Sequence, residues 1–301
     1  MCNWVGEVVL AVPTLKRLQA AGYELHLLGK GWAGALLEGE GWTVATRRAG
    51  PWQAARQLAE LRRGLKVPPR AQAPVALLLT KSFSSALEAR LGGWRPVGYA
   101  HDGRSVLLAR AYPLPAFAHA AHAYWHLASC LLGAEAPYPT ATTLTPSAAQ
   151  IARARAVLDE HALGDGGFVV LCPFSGPDDR ERRKVWPGFA ELGTRLADRG
   201  LVPVVCPGPG EEAIAAERLP GVVRLPGLDL GVYGALMARA RAVVANDTGP
   251  GHLAAAVGAR LIAIYGRQSV AAWAPLGPRV ELLHEPGGWP TLERVAASVF
   301  G

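Results

Sequence analysis

The sequence predicts an α/β fold made of two doubly wound halves, each with a parallel sheet covered by helices. Short apolar runs of strand type alternate with helical segments along most of the 301 residues. The alternation is interrupted at 134–146 by a segment with three prolines and four threonines, and then restarts. Hydrophobic residues make up 50% of the chain, which is enough for two cores.

The first half alternates strands and helices from its first residues onward. Gly22 is placed to end the first helix, and Pro13 is expected near the first turns of that helix. Strands are predicted at 24–28, 42–46, 74–80 and 96–99, and helices at 8–21, 32–37, 52–63 and 84–91.

A segment without charged residues, 111–134, is long enough to cross a bilayer. Two prolines interrupt its start, and three histidines place polar groups on one helical face: His119, His122 and His126. We therefore expect a helix with one buried side instead of a membrane span. Helical spacing of the histidines could also suggest a metal, but no carboxylate or cysteine joins them nearby, so a half-exposed face is expected.

The second half repeats the alternation after the segment 134–146. Strands are predicted at 168–172, 201–206, 222–225, 242–245, 261–265 and 280–283, and helices at 147–161, 186–199, 211–218, 232–240, 252–257 and 292–300. We expect an N-terminal domain over 1–140, a C-terminal domain over 147–285 and a terminal helix within 286–301. Two doubly wound domains normally bind their ligand in a cleft at the carboxyl ends of their strands.

The charge and the cysteines restrict the class of protein. A net charge of +7 and a pI of about 9.5 favour a partner that carries phosphate or an anionic membrane surface. The chain contains no homeodomain, zinc-finger or RNA-recognition signature, so nucleic acid is not the expected partner. The four cysteines are scattered and the first residues do not form a signal peptide, so a reduced cytoplasmic compartment is expected.

The stretch 241–266 reads as a strand, a sharp turn, a short helix and a second strand. Such a unit presents free backbone N–H groups and a positive dipole end, where an anion can bind. Asp247, Thr248, Gly249 and His252 lie at that mouth. The same pattern also fits an ordinary βαβ crossover whose polar residues only cap a helix.

The loop 173–185 also follows a strand and precedes a helix. It carries Ser175, Gly176 and a charged run that ends in Lys184. A lysine beside two helix N-termini is suited to clamp a diphosphate, whereas the arginines of the loop fit a solvated basic surface.

Two other features are open to more than one interpretation. Gly208-Pro209-Gly210 imitates a dinucleotide fingerprint, which leaves an NAD-dependent oxidoreductase as an alternative; Glu211 or Glu212 could bind ribose hydroxyls there, but plain turn chemistry fits equally well. Glu7 could act as a general base from the opposite side of a cleft, or could simply favour a helix dipole.

Three motifs together resemble glycosyltransferase family 9, the heptosyltransferases of lipopolysaccharide core assembly, over nearly the whole chain. The motifs are Asn3-Trp4-Val5-Gly6-Glu7, Lys184-Val185-Trp186-Pro187 and Asn246-Asp247-Thr248-Gly249-Pro250-Gly251-His252. The resemblance implies a GT-B fold and an inverting transfer of a heptose from ADP-heptose to the inner core of lipopolysaccharide. It implies no metal and no cofactor, which agrees with the absence of a D-x-D motif.

The resemblance also implies roles for individual residues. Glu7 stands where the family usually has an aspartate that serves as general base, and Lys184 would stabilise the leaving diphosphate. Ser175 and Gly176 lie in the family's phosphate loop, and Thr248 and Gly249 would receive diphosphate oxygens. Asp247 would hold heptose hydroxyls, His252 would line the pocket, and Glu211 or Glu212 would bind ribose.

The acceptor implied by the resemblance is an anionic lipid-linked core, so the enzyme would work peripherally at the cytoplasmic face of the inner membrane. One departure concerns the start of the chain. Family members have an apolar strand just before the Asn-Trp motif, and this sequence begins at the motif. Either the start of the chain was assigned too late or the first sheet lacks that central strand. A degenerate family member that binds nucleotide sugar without transfer is an alternative.

Overall fold

The strands and helices alternate as the sequence predicts. The computed structural model describes residues 1–65, 73–174, 185–266, 270, 272–285 and 287–301. The pairings between its described strands are all parallel and form three sheets. Parallel sheets require crossover connections, which the intervening helices supply. The predicted α/β class is confirmed.

The chain divides into two compact units. The first contains Met1–Asn3, Pro13–Gly34 and Trp42–Tyr138, and the second contains Trp4–Val12, Ala35–Gly41 and Pro139–Gly301. The first half of the first helix therefore belongs to the second unit. The limits 1–140, 147–285 and 286–301 remain a prediction of the domain organisation.

The first 138 residues contain the following helices and strands. The helices are α1 (Val5–Ala20), α2 (Ala33–Leu37), α3 (Pro51–Gly64), α4 (Phe83–Leu91) and α5 (Ala120–Leu132), with 3₁₀ turns at Glu38–Glu40 and Arg104–Leu107. The strands are β1 (His26–Gly29), β2 (Thr43–Thr46), β3 (Val75–Leu77), β4 (Arg95–Tyr99) and β5 (Arg110–Tyr112).

The described strands of the first unit form two separate sheets, β1–β2 and β3–β4–β5. Residues 1–4, which precede α1, form no strand of either sheet. The amino group of Met1 donates to the carbonyl oxygen of Leu28 in β1 at 2.8 Å. Strand β5 was not expected from the sequence, because three partly exposed residues carry no strand pattern; pairing with β4 holds them.

Helix α1 begins earlier than the sequence suggests and continues through a proline. The amide of Val8 donates to the carbonyl of Trp4 at 3.1 Å, so the first turn includes Val5, Gly6 and Glu7. Pro13 lies in the helix interior instead of near its first turns. A proline there leaves the carbonyl four residues earlier without its helical donor. Pro13 is also where α1 passes from the second compact unit into the first.

A fully buried arginine joins the carboxyl ends of two strands in the first unit. Arg104 Nε donates to the carbonyl of Tyr99 at 2.9 Å, and Nη1 donates to the carbonyls of Thr80 at 2.7 Å and Ser82 at 3.3 Å. Burial lowers the pKa of this guanidinium. The fork shape of the side chain lets one residue satisfy three carbonyls after β3 and β4.

We expect Arg104→Lys to lower the free energy of unfolding by about 2–4 kcal/mol, since a lysine cannot reach all three carbonyls and leaves buried acceptors unpaired. Denaturant-induced unfolding of the two proteins measures this loss of free energy. The exposed Arg56 on α3 supplies the matched control, and Arg56→Lys should change stability little. Equal effects of the two substitutions would contradict the bridging role of Arg104.

The rest of the chain folds around one six-stranded sheet. Its strands are β6 (Phe168–Cys172), β7 (Val202–Val205), β8 (Val223–Arg224), β9 (Ala242–Asn246), β10 (Leu261–Tyr265) and β11 (Val280–His284). Its helices are α6 (Ala148–Glu160), α7 (Phe189–Asp198), α8 (Glu212–Arg218), α9 (Leu230–Met237), α10 (Gly249–Ala256) and α11 (Leu292–Phe300).

The strand order of this sheet is β11–β10–β9–β6–β7–β8. The chain runs outward from β6 to β8, returns to β9 on the other side of β6, and runs outward again to β11. The order therefore reverses between β6 and β9, which makes their carboxyl ends the topological switch point where ligands of doubly wound sheets bind.

The central strands of this sheet are buried on both faces. All five residues of β6, β9 and β10 are buried, which explains their continuous apolar runs. One face packs against α7, α8 and α11 through a cluster that includes Leu192, Leu196 and Val299. Among the described helices, none combines the length and the hydropathy needed to cross a membrane. The uncharged segment 111–134 contains the last two residues of β5 and the 13-residue helix α5.

Candidate nucleotide-sugar site

The turn between β9 and α10 lies at the topological switch point. Thr248 is the residue before α10, in extended conformation, and Pro250 occupies the first turn, where a missing N–H is tolerated. Gly249 begins the eight-residue helix. The turn thus places Asp247 and Thr248 at the positive end of the helix dipole, as the sequence predicts.

Asn246, the last residue of β9, connects this turn to two other segments. Its Oδ1 accepts from the backbone N–H of Trp186 at 3.1 Å, and its Nδ2 donates to the carbonyl of Pro173 at 2.7 Å. Both bonds are buried. Pro173 follows β6 and Trp186 precedes α7, so one amide group holds together the two sides of the switch point.

Trp186 is fixed in turn by its indole. Its Nε1 donates to the carbonyl of Pro290 at 2.9 Å, and its ring meets Phe189 edge-on with centroids 5.3 Å apart. A Cβ added to Gly188 would lie 2.3 Å from the indole, so only glycine fits there. The Trp-Pro motif therefore has a structural role beside any role in binding.

The first turn of α1 packs directly against the first turn of α10. A Cβ on Gly6 would lie 2.6 Å from Cδ2 of His252, and a Cβ on Gly249 would lie 2.9 Å from Cβ of Val5. Real side chains do not approach this closely, so both glycines are needed. Residues 4–7 of the first motif and the motif that begins with Asn246 belong to the same compact unit. Two helix N-termini, each a positive dipole end, are thereby brought together.

Glu7 lies in the first turn of α1 and is half-buried. The sequence predicts it on the opposite side of a cleft, whereas the structure places residues 4–12 in the same compact unit as Asp247, Thr248 and His252. The contact of Gly6 with His252 brings the Glu7 backbone beside α10. Glu7 and the N-terminus of α10, a positive dipole end, thus belong to one compact unit.

Two buried hydroxyl groups at the carboxyl ends of β9 and β10 have no hydrogen-bond partner among the residues that the structure describes. Thr248 is only 8% exposed, and its Oγ1 makes no hydrogen bond to any part of the chain that the structure describes. The same holds for the hydroxyl of Tyr265, which ends β10. Burial, and secondly the charge of Asp247, raises the pKa of Tyr265, so its phenol stays protonated. Unpaired buried hydroxyls are costly and suit a ligand that supplies the partner.

The Gly208-Pro209-Gly210 turn uses its own amides. Glu211 Oε2 accepts from the backbone N–H of Gly208 at 2.9 Å, and Glu212 Oε2 accepts from that of Gly210 at 3.0 Å. A dinucleotide fingerprint needs such amides for phosphate. The geometry therefore favours turn chemistry over an NAD site, and a role of either glutamate in ribose binding remains a prediction.

The three histidines of the uncharged segment belong to an aromatic cluster. His126 Nδ1 lies 2.9 Å from the hydroxyl of Tyr99, His122 lies against Tyr138 with centroids 5.0 Å apart, and His119 Nδ1 accepts from a backbone amide of α5. Among the residues that the structure describes, no three side chains of metal-ligating type come together. The expected half-exposed helix face holds for His122 and His126, whereas His119 is the buried N-cap residue of α5 because its ring accepts from the helix backbone.

Three predicted site residues, Ser175, Gly176 and Lys184, lie outside the described residues. Two residues of the site carry no clear signal in the sequence. Asn246 appeared only as part of a turn, and nothing local shows that it reaches Pro173 and Trp186. Tyr265 appeared only as the end of an apolar strand. Its hydroxyl, the polar group at the end of that strand, is the signal that could have identified it.

A sequence profile described as "Glycosyltransferase family 9 (heptosyltransferase)" matches residues 60–299, which is more than half of the chain. The match includes the β9–α10 turn and begins after Glu7. No curated protein matches the chain in sequence.

Solved structures of this kind share the fold. A glycosyl transferase family 9 protein from Veillonella parvula DSM 2008 is 18% identical with a TM-score of 0.79, over 95% of this chain and 84% of its own. The E. coli ADP-heptose lps heptosyltransferase II is 22% identical with a TM-score of 0.77, over 99% and 96%. E. coli heptosyltransferase WaaC, solved with ADP, is 22% identical with a TM-score of 0.70, over 94% and 91%. The predicted GT-B type of fold is confirmed.

Proposed function

Because this chain belongs to glycosyltransferase family 9, the heptosyltransferase family, we propose that it transfers a heptose from ADP-heptose to the inner core of lipopolysaccharide. The observation that carries the proposal is the contact between the first turns of α1 and α10, because Glu7 lies in the first of these turns and the second begins at a positive dipole end. The transfer is inverting and needs no metal, as the resemblance implies.

The donor diphosphate is proposed to bind at the joined N-termini of α1 and α10. Because Pro250 has no N–H and the amide of Gly251 donates to the carbonyl of Thr248 at 3.1 Å, the amides proposed to face the anion are that of Gly249 and those of the first turn of α1. Thr248 supplies a buried hydroxyl, and the backbone N–H of Gly249 is proposed to donate to a diphosphate oxygen. Asp247 is assigned to heptose hydroxyls, with His252 lining the pocket beneath. E. coli heptosyltransferase WaaC, which has been solved with ADP and with ADP-2-deoxy-2-fluoro heptose, supports a donor of this type.

The proposed chemical step uses a single carboxylate, that of Glu7, as general base. The acceptor hydroxyl oxygen attacks the anomeric carbon while Glu7 takes the hydroxyl proton. The bond from the anomeric carbon to the diphosphate oxygen breaks, ADP leaves, and the configuration inverts. The helix N-termini stabilise the charge that develops on the diphosphate, and Lys184 is assigned to the same task. No cofactor takes part in the proposed reaction.

The acceptor is proposed to be an anionic, lipid-linked sugar at the cytoplasmic face of the inner membrane. The net charge of +7 and the pI of about 9.5 favour attraction to phosphorylated sugars and anionic lipids. The contact with the membrane is peripheral, and nucleic acid is not a partner in this proposal.

Donor selectivity tests the proposal. The protein is incubated with a heptose-deficient core acceptor and, in parallel, with ADP-heptose, ADP-glucose and UDP-glucose. We expect transfer from ADP-heptose at a kcat/KM at least about tenfold above the other donors, because a polar site rejects sugars that leave its groups unpaired. Preferred transfer from a UDP-sugar would contradict the assignment of the donor.

Thr248→Val is expected to weaken ADP binding about 10–100-fold, which is the worth of one hydrogen bond to a charged group. Stability should not fall, because the hydroxyl has no described partner in the free protein. Calorimetric titration with ADP and thermal unfolding give the two values. Thr248→Ser, which keeps the hydroxyl, is the control and should bind nearly normally. An unchanged affinity of the valine variant would show that the hydroxyl does not meet the donor.

Trp4 is proposed to contact the acceptor sugar. It directly precedes the first turn of α1 and is 72% exposed, although a large aromatic ring is usually covered. Trp4→Ala should raise the acceptor KM about 3–10-fold, the loss expected for one aromatic contact, and leave ADP affinity unchanged. Trp52 on α3 is 69% exposed and provides the matched control, Trp52→Ala. Equal acceptor KM values for the two variants would contradict the contact.

A further inference from the structure

The imidazole of His252 occupies the space above Gly6. A Cβ on Gly6 would lie 2.6 Å from Cδ2 and 3.1 Å from Nε2 of His252. His252 is 6% exposed, so its ring is enclosed by protein. The ring edge formed by Cδ2 and Nε2 therefore packs against the first turn of α1 at Gly6.

A second contact fixes the orientation of that turn. A Cβ on Gly249 would lie 2.9 Å from Cβ of Val5 and 3.6 Å from the backbone nitrogen of Gly6. Gly249 and His252 are three residues apart on α10 and so lie on the same helical face. Two adjacent residues of α1 thus meet two points on one face of α10, which sets both the position and the rotation of the α1 turn.

Glu7 is bonded directly to Gly6, so a displacement of Gly6 displaces Glu7 as well. A shift of about 1 Å in a reacting group can lower a rate about 100-fold. The contact between His252 and Gly6 therefore affects the position of the Glu7 carboxylate more directly than the position of the donor. The donor is proposed to bind at Thr248, which precedes α10.

We infer that His252 is a positioning residue for Glu7, acting through Gly6, and not a ligand of the donor. The inference rests on the proposed function of Glu7 as the base. It refines the assignment of His252 to the donor pocket, because the imidazole ring packs against Gly6 in the first turn of α1.

A double-mutant cycle tests the inference on the full chain. The variants are Gly6→Ala, His252→Ala and the two together, and the readouts are kcat, ADP affinity and thermal unfolding. Gly34→Ala in α2 is the matched glycine control, because a Cβ there meets nothing within 4 Å.

Gly6→Ala should lower kcat about 100-fold, because the new methyl group clashes with the imidazole. His252→Ala should lower kcat about tenfold, because the packing of the imidazole against Gly6 is lost. ADP affinity of His252→Ala should stay within about twofold of the wild-type value. Removing the ring makes room for the new methyl group, so the double variant should turn over at least about fivefold faster than Gly6→Ala alone, as coupled neighbours do. Gly34→Ala should resemble the wild type in all three readouts.

Two results would overturn the inference. If His252→Ala loses ADP affinity in the same proportion as kcat, His252 is a donor ligand. If the two single effects multiply in the double variant, the ring does not meet residue 6. Should the wild-type protein transfer no heptose, the proposed function fails separately, and the cycle is read on the unfolding temperature. Independent shifts there overturn the contact, whereas a coupled shift with unchanged ADP affinity supports it.

Discussion

Replacing Glu7 with glutamine is expected to lower kcat by about 10²–10⁴-fold, the usual contribution of a general base. Glutamine keeps the size of the side chain and its place in the first turn of α1 but cannot accept the acceptor proton. ADP affinity should remain within about threefold of the wild-type value, because the helix N-termini and Thr248 are unchanged. Steady-state kinetics with both substrates and an ADP titration measure the two effects.

The control for this prediction is Glu7→Asp, which restores the carboxylate that the family usually carries at this position. It should recover most of the lost turnover, because only one methylene separates the two side chains. If Glu7→Gln and Glu7→Asp are equally impaired, or if ADP binding falls together with kcat, Glu7 has a structural role and the proposed chemistry is wrong.

Asn246→Ala is expected to lower the free energy of unfolding by about 2–5 kcal/mol, because the N–H of Trp186 and the carbonyl of Pro173 both lose their only buried partner among the described residues. For a protein of this size the melting temperature should fall by about 5–15 °C. Activity should fall as well, since Asn246 directly precedes Asp247 and Thr248. Differential scanning calorimetry and the transfer assay measure the two losses.

Two further variants sharpen this prediction. Asn246→Asp keeps the acceptor for Trp186 but turns an oxygen toward the carbonyl of Pro173, so it should not rescue stability. Asn3→Ala alters an exposed asparagine and should leave the melting temperature almost unchanged. A stable Asn246→Ala variant would show that the switch point is held by other contacts.

The strongest elements of the second unit were predictable because their patterns are local. Strands β6 and β10 and helix α11 occupy the predicted residues, 168–172, 261–265 and 292–300. Each strand is a continuous apolar run near glycine or proline, as expected for strands buried on both faces. Strand β5 has no such pattern, and only its pairing with β4 makes it a strand.

The motifs of the candidate site were predictable, but their mutual arrangement was not. Helix-capping residues and glycines identify the β9–α10 turn, whereas α1 begins three residues before its predicted start. The contact of Gly6 with His252 joins residues that are far apart in the chain, and its existence depends on how the helix that carries Glu7 packs. For the same reason the sequence places Glu7 across a cleft, whereas its first turn belongs to the compact unit of α10.

The central claim is most directly tested by following the acceptor itself. Purified protein is incubated with ADP-heptose and a heptose-deficient inner-core acceptor, and the product is examined by mass spectrometry and by NMR of the new anomeric centre. We predict an acceptor that gains one heptose with inverted configuration, in equal amount to the ADP released, with the wild-type protein and not with Glu7→Gln. A folded wild-type protein that binds ADP-heptose but yields no extended acceptor, or that yields retained configuration, would contradict the account.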